Sequence, residues 1–375
     1  MHLAPGYWAA DPRLYHLECT TLMKAGYHVE LAANGSPKDQ VDGRVRFHSV
    51  GEYGNSTLSW RLFQRIRRDQ QTYALARRSN AALYHYHSLE FIMWGQKLRR
   101  LSRRPVIFDC REDFEGYARQ RRGIPDILRR PLARFVRNQL RLAADYCDAI
   151  IVADQGTANM LRPYARRLLV LHNFPRLDLF PDGRPASCDK PYDIVYHGTI
   201  PKYHLEVCLA VDAVLIERGH HVRWRLIGNM PERDWFCDEL VRRGIQERFY
   251  VTGLIPHDQI AEEVRKAKLG IIPLPDLPKF QNNLPQKLFE FMALGMPVVL
   301  SDLPPSRPFV GGGACAIMVP PGDYSAYADA IIKLLDDPGL CHRMGAEGRR
   351  RVEQEYNWEK ESQKLLDLYT ELLGA

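Results

Sequence analysis

A lysine and a glutamate three residues apart, Lys287 and Glu290, carry the most distinctive chemistry in the sequence. They lie in the run LPQKLFEFMALGMPVVLSD, where Pro285 suits the first turn of a helix and Gly295 suits its end. The free N–H groups at such a helix start form an anion site suited to a diphosphate. Lys287 is disfavoured there by about 0.3–1 kcal/mol unless an anion is bound. Glu290, one turn on, can accept hydrogen bonds from a ribose diol. A solvated surface Lys–Glu pair explains these two residues equally well.

Short apolar runs alternate with helical patterns along the chain, which predicts βαβ units and parallel sheets. Eleven strands are predicted, at 1–4, 28–32, 83–87, 106–109, 149–153, 168–171, 193–196, 222–227, 249–252, 269–273 and 297–300. The segment 173–190 is rich in Pro, Asp and Gly and predicts an interdomain linker. We therefore expect two doubly wound α/β domains, with ligands beyond the carboxyl ends of the strands.

The run at 284–302 resembles the donor-binding segment of retaining family-four glycosyltransferases, in their bacterial cell-surface-polysaccharide branch. Other stretches are similar to that branch as well: DPRLYHLECTTLMKAGYHVELAA, ALYHYHSLE, PVIFDCRED, IVYHGTIPK and YNWEKESQKLLDLY. The resemblance covers almost the whole chain and implies the GT-B fold, in which two Rossmann-like parallel-sheet domains face a cleft. It implies an acceptor-binding domain at 1–172, a linker at 173–190 and a donor-binding domain at 191–355. The C-terminal helix, 356–375, is expected to pack back on the first domain.

The resemblance also implies a donor site. Its candidate residues are Gly198, Thr199, Lys202, His204, Asn282, Leu284, Lys287 and Glu290. Glu290 is expected to hold the ribose, and Lys287 with the backbone near Leu284 the diphosphate. Lys202 is preferred over His204 as the basic residue after Gly198, because histidine is mostly neutral at pH 7. Asn282 stands where relatives often carry a glutamate that contacts the donor sugar.

Arg111, Glu112 and Asp113 are the candidate catalytic residues, because relatives carry a D-x-H-E pattern there. An arginine cannot act as a base but can clamp an oxyanion or phosphate. It suits retaining transfer, in which the leaving phosphate is thought to deprotonate the acceptor. It also suits a chain that has lost activity, and an exposed charged turn remains a further reading.

The predicted acceptor side consists of Gly6, Arg13, His85 and His87. Gly6 is placed in the loop after the first strand. Strand alternation puts His85 and His87 on one face, with Tyr84 and Tyr86 on the other. Two histidines at this spacing could suggest a metal, but no third ligand is in view. We therefore predict a strand-end role and no metal.

The charge is uneven along the chain. Residues 1–172 hold 28 Lys and Arg against 16 Asp and Glu, a net charge of +12, whereas the remainder holds 24 against 29. One helical stripe is formed by Arg130, Arg134, Arg137 and Arg141. We predict that this stripe faces an anionic membrane, with a solvated helix face as the alternative. The residues expected to pack on the sheet are Leu128, Leu132, Phe135 and Leu142.

The apolar runs and the cysteine count of the chain limit the class of protein. No run of 18 apolar residues or secretory signal is seen, and eight scattered cysteines argue against a zinc site or a disulfide framework. We therefore expect a cytoplasmic protein, peripheral on the inner face of the cell membrane. Nucleic-acid binding is not expected, because no aromatic platform accompanies the arginines.

The predicted function is retaining transfer of a sugar from a UDP- or GDP-sugar to a lipid-linked or saccharide acceptor, without a cofactor. Two alternatives stay open. A nucleotide-sugar epimerase can share the fold, and the departures at Asn282 and Arg111 suit a catalytically impaired sugar-nucleotide-binding protein. Turnover of a bound donor would separate these readings.

Overall fold

Thirteen strands and thirteen α-helices are seen in the described part of the chain, a computed structural model covering residues 1–35, 44–51, 58–120, 124–181, 190–256 and 259–374. The chain divides into two compact units. Unit 1 comprises Met1–Asn173 and Lys360–Ala375, and unit 2 comprises Phe174–Glu359. Of the predicted linker at 173–190, residues 182–189 lie outside the described residues.

Unit 1 is built on a seven-stranded sheet in which every neighbouring pair is parallel. The strands are β1 (His2–Trp8), β2 (Glu30–Asn34), β3 (Arg46–Ser49), β4 (Tyr84–Tyr86), β5 (Val106–Cys110), β6 (Ala149–Val152) and β7 (Leu168–Val170). Their order is β3-β2-β1-β4-β5-β6-β7. Strands β5 and β6 are buried on both faces and apolar apart from Asp109 of β5, as is typical of parallel strands covered by helices.

Unit 2 contains a six-stranded sheet, again parallel throughout. Its strands are β8 (Tyr192–His197), β9 (Trp224–Ile227), β10 (Phe249–Thr252), β11 (Ala267–Ile272), β12 (Val298–Ser301) and β13 (Ala316–Val319). Their order is β10-β9-β8-β11-β12-β13. The order reverses between β8 and β11, and such a switch point is where doubly wound sheets bind ligands.

Helices connect the strands in both units. Unit 1 holds a π-helical segment (Pro12–Cys19), α1 (Thr20–Lys24), α2 (Leu58–Ser79), α3 (Ile92–Ser102), α4 (Phe114–Gln120), α5 (Asp126–Tyr146) and α6 (Gln155–Leu161). Unit 2 holds α7 (Lys202–Glu217), α8 (Arg233–Arg243), α9 (Ile260–Arg265), α10 (Gln286–Ala293), α11 (Tyr324–Asp336) and α12 (Pro338–Gln354). The last helix, α13 (Trp358–Leu373), belongs to unit 1 from Lys360 on.

The structure corrects the sequence reading at the first strand and in α5. The first strand runs through Trp8, so Gly6 lies within it and not in a following loop. In α5, Leu128 and Phe135 are exposed instead of packing on the sheet. The buried face of α5 is formed by Ala133, Val136, Leu140, Ala143 and Ala144. Small residues on this face let the helix lie close to its neighbours, which leaves the larger apolar side chains outside.

Two strands were not predicted. β3 (RFHS) is partly exposed and has one apolar residue, and β13 (AIMV) is four residues long. Neither has the length or the alternation that identifies a strand in a sequence. A search of the described helices finds none with the length and apolar character needed to cross a bilayer.

We predict that Gly345→Ala destabilises unit 2. A Cβ at this position of α12 would lie 2.0 Å from the carbonyl oxygen of Gly295, in the turn that ends α10. The clash should lower the free energy of unfolding by about 1–3 kcal/mol, although alanine favours a helix by roughly 1 kcal/mol over glycine. Thermal unfolding of the variant measures this.

Gly253→Ala is the control, because a Cβ at Gly253 meets no atom within 4 Å. An unchanged unfolding midpoint for Gly345→Ala would show that α10 and α12 do not approach as closely as described.

Candidate functional site

Helix α10 presents an uncapped amino terminus beyond the buried strand β11. The helix begins at Gln286 after Pro285, whose side chain provides no capping hydrogen bond, and its first turn contains no acidic residue. Gly270 of β11 lacks a side chain where the Phe291 ring packs, since an added Cβ would lie 2.7 Å from that ring. This close packing fixes α10 against the sheet. The positive end of its dipole is therefore held in place without a charged partner of its own.

Lys287 lies in the first turn of α10 and reaches over Gly198. A Cβ added to Gly198 would lie 2.8 Å from the Lys287 Cε and 3.0 Å from its Nζ. Burial lowers the pKa of Lys287, although Glu290 partly opposes that effect. Among the described residues, no carboxylate lies within ion-pair distance of its Nζ, which sits 5.6 Å from the centre of the Tyr196 ring. The lysine is thus a partly desolvated cation that lacks an anion.

Glu290 is buried one turn further along the helix, at 8% exposure. Its Oε1 accepts a hydrogen bond from Gln286 Nε2 at 3.1 Å. Its Oε2 lies 3.3 Å from Nε2 of His197, the last residue of β8. Burial raises the pKa of Glu290, while Lys287 and Gln286 act in the opposite direction. The carboxylate is therefore oriented by a hydrogen bond from Gln286 of the same helix, with the His197 ring of β8 beside it.

His197 was not identified from the sequence. Its ring packs edge-on against Phe291, with centroids 5.0 Å apart, and it connects the end of β8 to α10. The only signal in the sequence was its place directly before Gly198, at a strand end. A histidine there is common in buried polar surroundings, so its type alone did not predict a contact with Glu290.

Two glycines allow the loops after β8 and β9 to run together. Gly198 has φ +100° and Gly228 has φ +127°, a region that side chains rarely occupy. A Cβ at Gly228 would lie 2.1 Å from the Gly198 carbonyl oxygen. The carboxyl ends of the strands thus leave room over Gly198 for Lys287, at the switch point between β8 and β11.

The remaining predicted donor residues lie around this centre in different settings. Thr199 is exposed after Gly198, and Asn282 and Leu284 are half-buried in the loop before α10. Lys202, the first residue of α7, places its Nζ 4.3 Å from the Trp235 ring centre and 3.9 Å from Glu206. That side chain is already engaged, and the structure does not bring it to Lys287.

His204 is buried inside unit 2. Its Nδ1 lies 2.8 Å from the Tyr196 hydroxyl, and burial lowers its pKa to about 3. The imidazole is therefore neutral and provides no charge for a phosphate. This corrects the expectation of a basic contact from His204.

In unit 1 the predicted residues gather around the buried carboxylate of Asp109, at the end of β5. Arg13 binds it with two nitrogens, Nε at 2.9 Å and Nη2 at 3.0 Å, and Arg111 Nε lies at 3.0 Å. His87 Nδ1 is 3.1 Å from the same carboxylate. Burial alone would raise the pKa of Asp109, but Arg13, His87 and Arg111 together hold it well below its usual range. Asp109 is thus ionised and organises this cluster.

Arg111 is fully engaged in this cluster. It also donates to Asp11 at 2.7 Å and stacks on the Tyr7 ring, 4.5 Å from its centre. Burial would lower the pKa of Arg111, but Asp11 and Asp109 hold it well above its usual range. An exposed charged turn therefore does not describe this arginine. Its predicted catalytic role stays a prediction.

The two acidic residues after Arg111 have different surroundings. Glu112 is exposed, whereas Asp113 is buried and accepts a hydrogen bond from the Gly116 N–H at 2.7 Å. That contact is typical of a residue at a helix start, and α4 begins directly after it. Asp113 thus has a structural role that its catalytic assignment did not anticipate. Gly6, on the predicted acceptor side, donates its N–H to Ser88 Oγ at 3.1 Å.

His85 and His87 are both completely buried and are joined by two side chains that the sequence reading did not connect with them. His2 Nδ1 lies 3.0 Å from His87 Nε2, and Glu18 Oε2 lies 3.8 Å from the same nitrogen. In the described chain, these four side chains are the group that could hold a metal ion. No third ligand could be recognised from the sequence, because His2 and Glu18 lie more than 65 positions from His85.

The arginine stripe on α5 is only partly free. Arg130 and Arg134 are exposed, whereas Arg137 pairs with Glu115 and Arg141 donates to the Tyr164 hydroxyl at 2.8 Å. Next to the stripe three large apolar side chains are exposed: Ile127 (81%), Leu128 (54%) and Phe135 (59%). Exposed cations beside exposed apolar side chains form an amphipathic surface.

Comparison with known families identifies both units. The family described as "Glycosyltransferase Family 4" matches residues 14–178, and "Glycosyl transferases group 1" matches residues 191–337. The alpha-D-kanosaminyltransferase of Streptomyces kanamyceticus is 26% identical over 185 residues, 49% of this chain and 46% of the relative. The MMP alpha-(1->4)-mannosyltransferase of Mycolicibacterium hassiacum is 24% identical over 263 residues, 66% and 60% of the two chains. The chain thus matches about half the length of these curated relatives.

Solved structures share the fold. Sucrose-phosphate synthase from Thermosynechococcus elongatus superimposes with a TM-score of 0.78 at 19% identity, over 99% of this chain and 95% of the other. Anabaena Alr3699/HepE, in complex with UDP-glucose, gives a TM-score of 0.71 at 15% identity, over 99% and 100%. The chain therefore joins a family 4 glycosyltransferase domain, residues 14–178, to a group 1 glycosyltransferase domain, residues 191–337, in the GT-B fold.

Proposed function

We propose that the chain transfers a sugar from a nucleotide-diphosphate sugar, UDP- or GDP-linked, that unit 2 binds at the start of α10. The observation that carries this proposal is Lys287, a half-buried cation at a helix amino terminus with no ion pair among the described residues. A helix start alone attracts anions, and the lysine adds a full charge at the same place. A diphosphate satisfies both.

The neighbouring carboxylate accounts for the rest of the nucleotide. Glu290 lies one helical turn from Lys287, Gln286 donates a hydrogen bond to its Oε1, and His197 Nε2 lies 3.3 Å from its Oε2. An oriented carboxylate accepts hydrogen bonds from a vicinal diol, so we assign the ribose to Glu290. The structure of Anabaena Alr3699/HepE in complex with UDP-glucose, which shares the fold, supports a UDP-sugar as the first donor to test.

We propose that transfer retains the configuration of the sugar. The cluster around Asp109 supports this, because Arg13 and Arg111 engage the buried carboxylate and leave it a poor base. A mechanism that needs no enzyme base fits that environment, with the leaving phosphate taking the acceptor's proton. The same feature keeps the impaired sugar-nucleotide-binding protein as the second candidate.

We propose a lipid-linked acceptor of cell-surface polysaccharide synthesis, reached from an anionic membrane surface. The support is the amphipathic surface of α5, where Arg130 and Arg134 are exposed beside Ile127, Leu128 and Phe135. Cations near anionic headgroups and apolar side chains at the acyl boundary act together in such a surface.

A panel of UDP- and GDP-sugars tests the donor. We expect one of them to stabilise the protein against thermal unfolding, by roughly 2.7 kcal/mol at about 100 times its Kd, and to be hydrolysed or transferred to a lipid-linked acceptor. Stabilisation without turnover would favour the binding protein, and epimerised donor would favour the epimerase. Failure of every donor to stabilise the protein would contradict the proposal.

Two variants test the phosphate and ribose contacts of the donor site separately. Lys287→Ala should weaken UDP binding at least tenfold, because a hydrogen bond to a charged group contributes about 1.5–3 kcal/mol. It should leave uridine binding unchanged. Glu290→Gln should weaken both UDP and uridine, because both contain the ribose. Titration calorimetry measures each Kd, with exposed Lys333→Ala in the same unit as the control. Parental affinities in both variants would show that the nucleotide binds elsewhere.

The membrane surface is tested with anionic vesicles. Replacing Arg130 and Arg134 together by alanine should weaken vesicle binding roughly 30-fold, because each cation near the surface contributes about 1 kcal/mol. Added salt should weaken binding of the parent in the same way. Cosedimentation measures both, with Arg242 and Arg343 of unit 2, 67% and 68% exposed, replaced as the control pair. Equal binding of parent and variant would remove the membrane from the proposal.

A further inference from the structure

Four buried side chains of unit 1 converge on one point that the donor chemistry does not use. We call them the buried histidine cluster: His2, Glu18, His85 and His87. They are 1%, 0%, 0% and 0% exposed. They come from β1, from the π-helical segment Pro12–Cys19, and from the end of β4 with the residue that follows it. Three imidazoles and a carboxylate are ligands that divalent transition metals prefer.

The ligand atoms are already spaced as the ligands of one ion. His2 Nδ1 and His87 Nε2 are 3.0 Å apart, and Glu18 Oε2 lies 3.9 Å and 3.8 Å from them. His85 Nδ1 is 3.9 Å from the same carboxylate oxygen. In a tetrahedral zinc site with bonds of about 2.0–2.1 Å, ligand atoms are separated by roughly 3.3 Å. The four ligand atoms lie within 4.8 Å of one another, so the farthest pair must come together by up to about 1.5 Å to complete such a site.

Side chains around the buried histidine cluster orient the lone pairs of its histidines toward the centre of the cluster. Asp109 Oδ2 lies 3.1 Å from His87 Nδ1, and in the tautomer that donates this hydrogen bond Nε2 has a free lone pair. Arg111 Nη2 lies 3.0 Å from the same Nδ1, but an arginine only donates, so this contact is not a hydrogen bond in that tautomer. A carboxylate that holds the far nitrogen of a ligating histidine is the usual second shell of a zinc site.

Tyr369 of α13 plays the corresponding part for His2. Its hydroxyl lies 3.2 Å from His2 Nε2 and 3.0 Å from His85 Nδ1. With Nε2 protonated toward Tyr369, His2 directs the lone pair of Nδ1 toward Glu18 and His87. His85 can then exchange its contact with the hydroxyl for a bond to the ion.

Glu18 differs from the three histidines of the cluster in its hydrogen bonds. Neither of its oxygens accepts a hydrogen bond, although Oε1 lies 3.0 Å from an Arg13 nitrogen that donates to Asp109. Three carboxylates of this region, on Asp11, Glu18 and Asp109, face two guanidinium groups, on Arg13 and Arg111. A buried carboxyl group whose oxygens accept no hydrogen bond is costly, and a divalent cation would ligate it.

We propose that the buried histidine cluster binds one Zn²⁺ ion in unit 1. Nitrogen and carboxylate ligands in a tetrahedral set favour zinc. All four ligands are provided by the protein and are buried, so the site is closed and structural. It fixes β1, β4 and the π-helical segment to one another, and through His87 it orients Asp109. This ion takes no part in the proposed sugar transfer.

The test is the metal content of the protein purified from zinc-supplemented cells, measured by elemental analysis. We expect one zinc per parent chain, and a loss of at least tenfold in bound zinc for the isosteric Glu18→Gln variant and for His87→Gln. His48→Ala is the matched control, because His48 pairs with Glu30 on a half-exposed strand at 2.8 Å. That variant should keep the parental zinc content.

The cobalt-loaded parent provides a readout that does not depend on the folding of any variant. Its visible spectrum should show tetrahedral cobalt, and X-ray absorption should show nitrogen and oxygen neighbours without sulphur. A folded parent chain without bound metal would overturn the proposal. So would sulphur ligands, or undiminished zinc in folded Glu18→Gln. Each outcome is independent of the donor tests, which concern unit 2.

Discussion

An uncompensated positive charge at the amino end of α10 is the feature on which the account of unit 2 depends. The loop between β11 and α10 brings the chain back over the sheet, and Gly270 lets Phe291 pack directly on the strand. The helix start is thereby fixed beside Gly198, where Lys287 adds its own charge. Partial burial makes the charge of Lys287 unfavourable unless an anion is bound. Less water lies between the lysine and such an anion than at a surface, so their attraction is stronger. Glu290, with His197 beside it, suits a neutral group that carries hydroxyls next to this charge.

Unit 1 has a different arrangement of buried charges. Its polar residues are buried together around Asp109, and their charges compensate one another through Arg13, Arg111 and Asp11. Such a network is costly to break, because removal of one member leaves the others buried without partners. The arrangement is suited to holding strand ends and loops in fixed positions. Glu18 pairs with Arg13, but neither of its oxygens accepts a hydrogen bond, and it lies beside His2, His85 and His87.

The sequence predicted the start of α10 correctly because its information is local. Pro285, Lys287 and Glu290 lie within two helical turns, so spacing alone places them on one helix start, and α10 begins at Gln286 as expected. Eleven strands were recognised, most of them as short apolar runs. β13 is such a run as well and was missed, whereas β3 has one apolar residue.

What the sequence could not predict depends on contacts between distant residues. His2, Glu18 and Tyr369 meet His85 and His87 only after the sheet and α13 have formed. The exposed face of α5 was assigned wrongly at Leu128 and Phe135, because a sequence pattern identifies an apolar stripe but not which stripe a neighbour covers. His204 lies shortly after Gly198, where a phosphate ligand was expected, yet its ring contacts the Tyr196 hydroxyl.

The location of the phosphates in a crystal structure with bound UDP tests the central claim most directly. The account predicts both phosphates within hydrogen-bonding distance of Lys287 Nζ or the first N–H groups of α10, with the ribose hydroxyls on Glu290. A nucleotide bound with its phosphates away from the start of α10, or with Glu290 facing only protein, would contradict it.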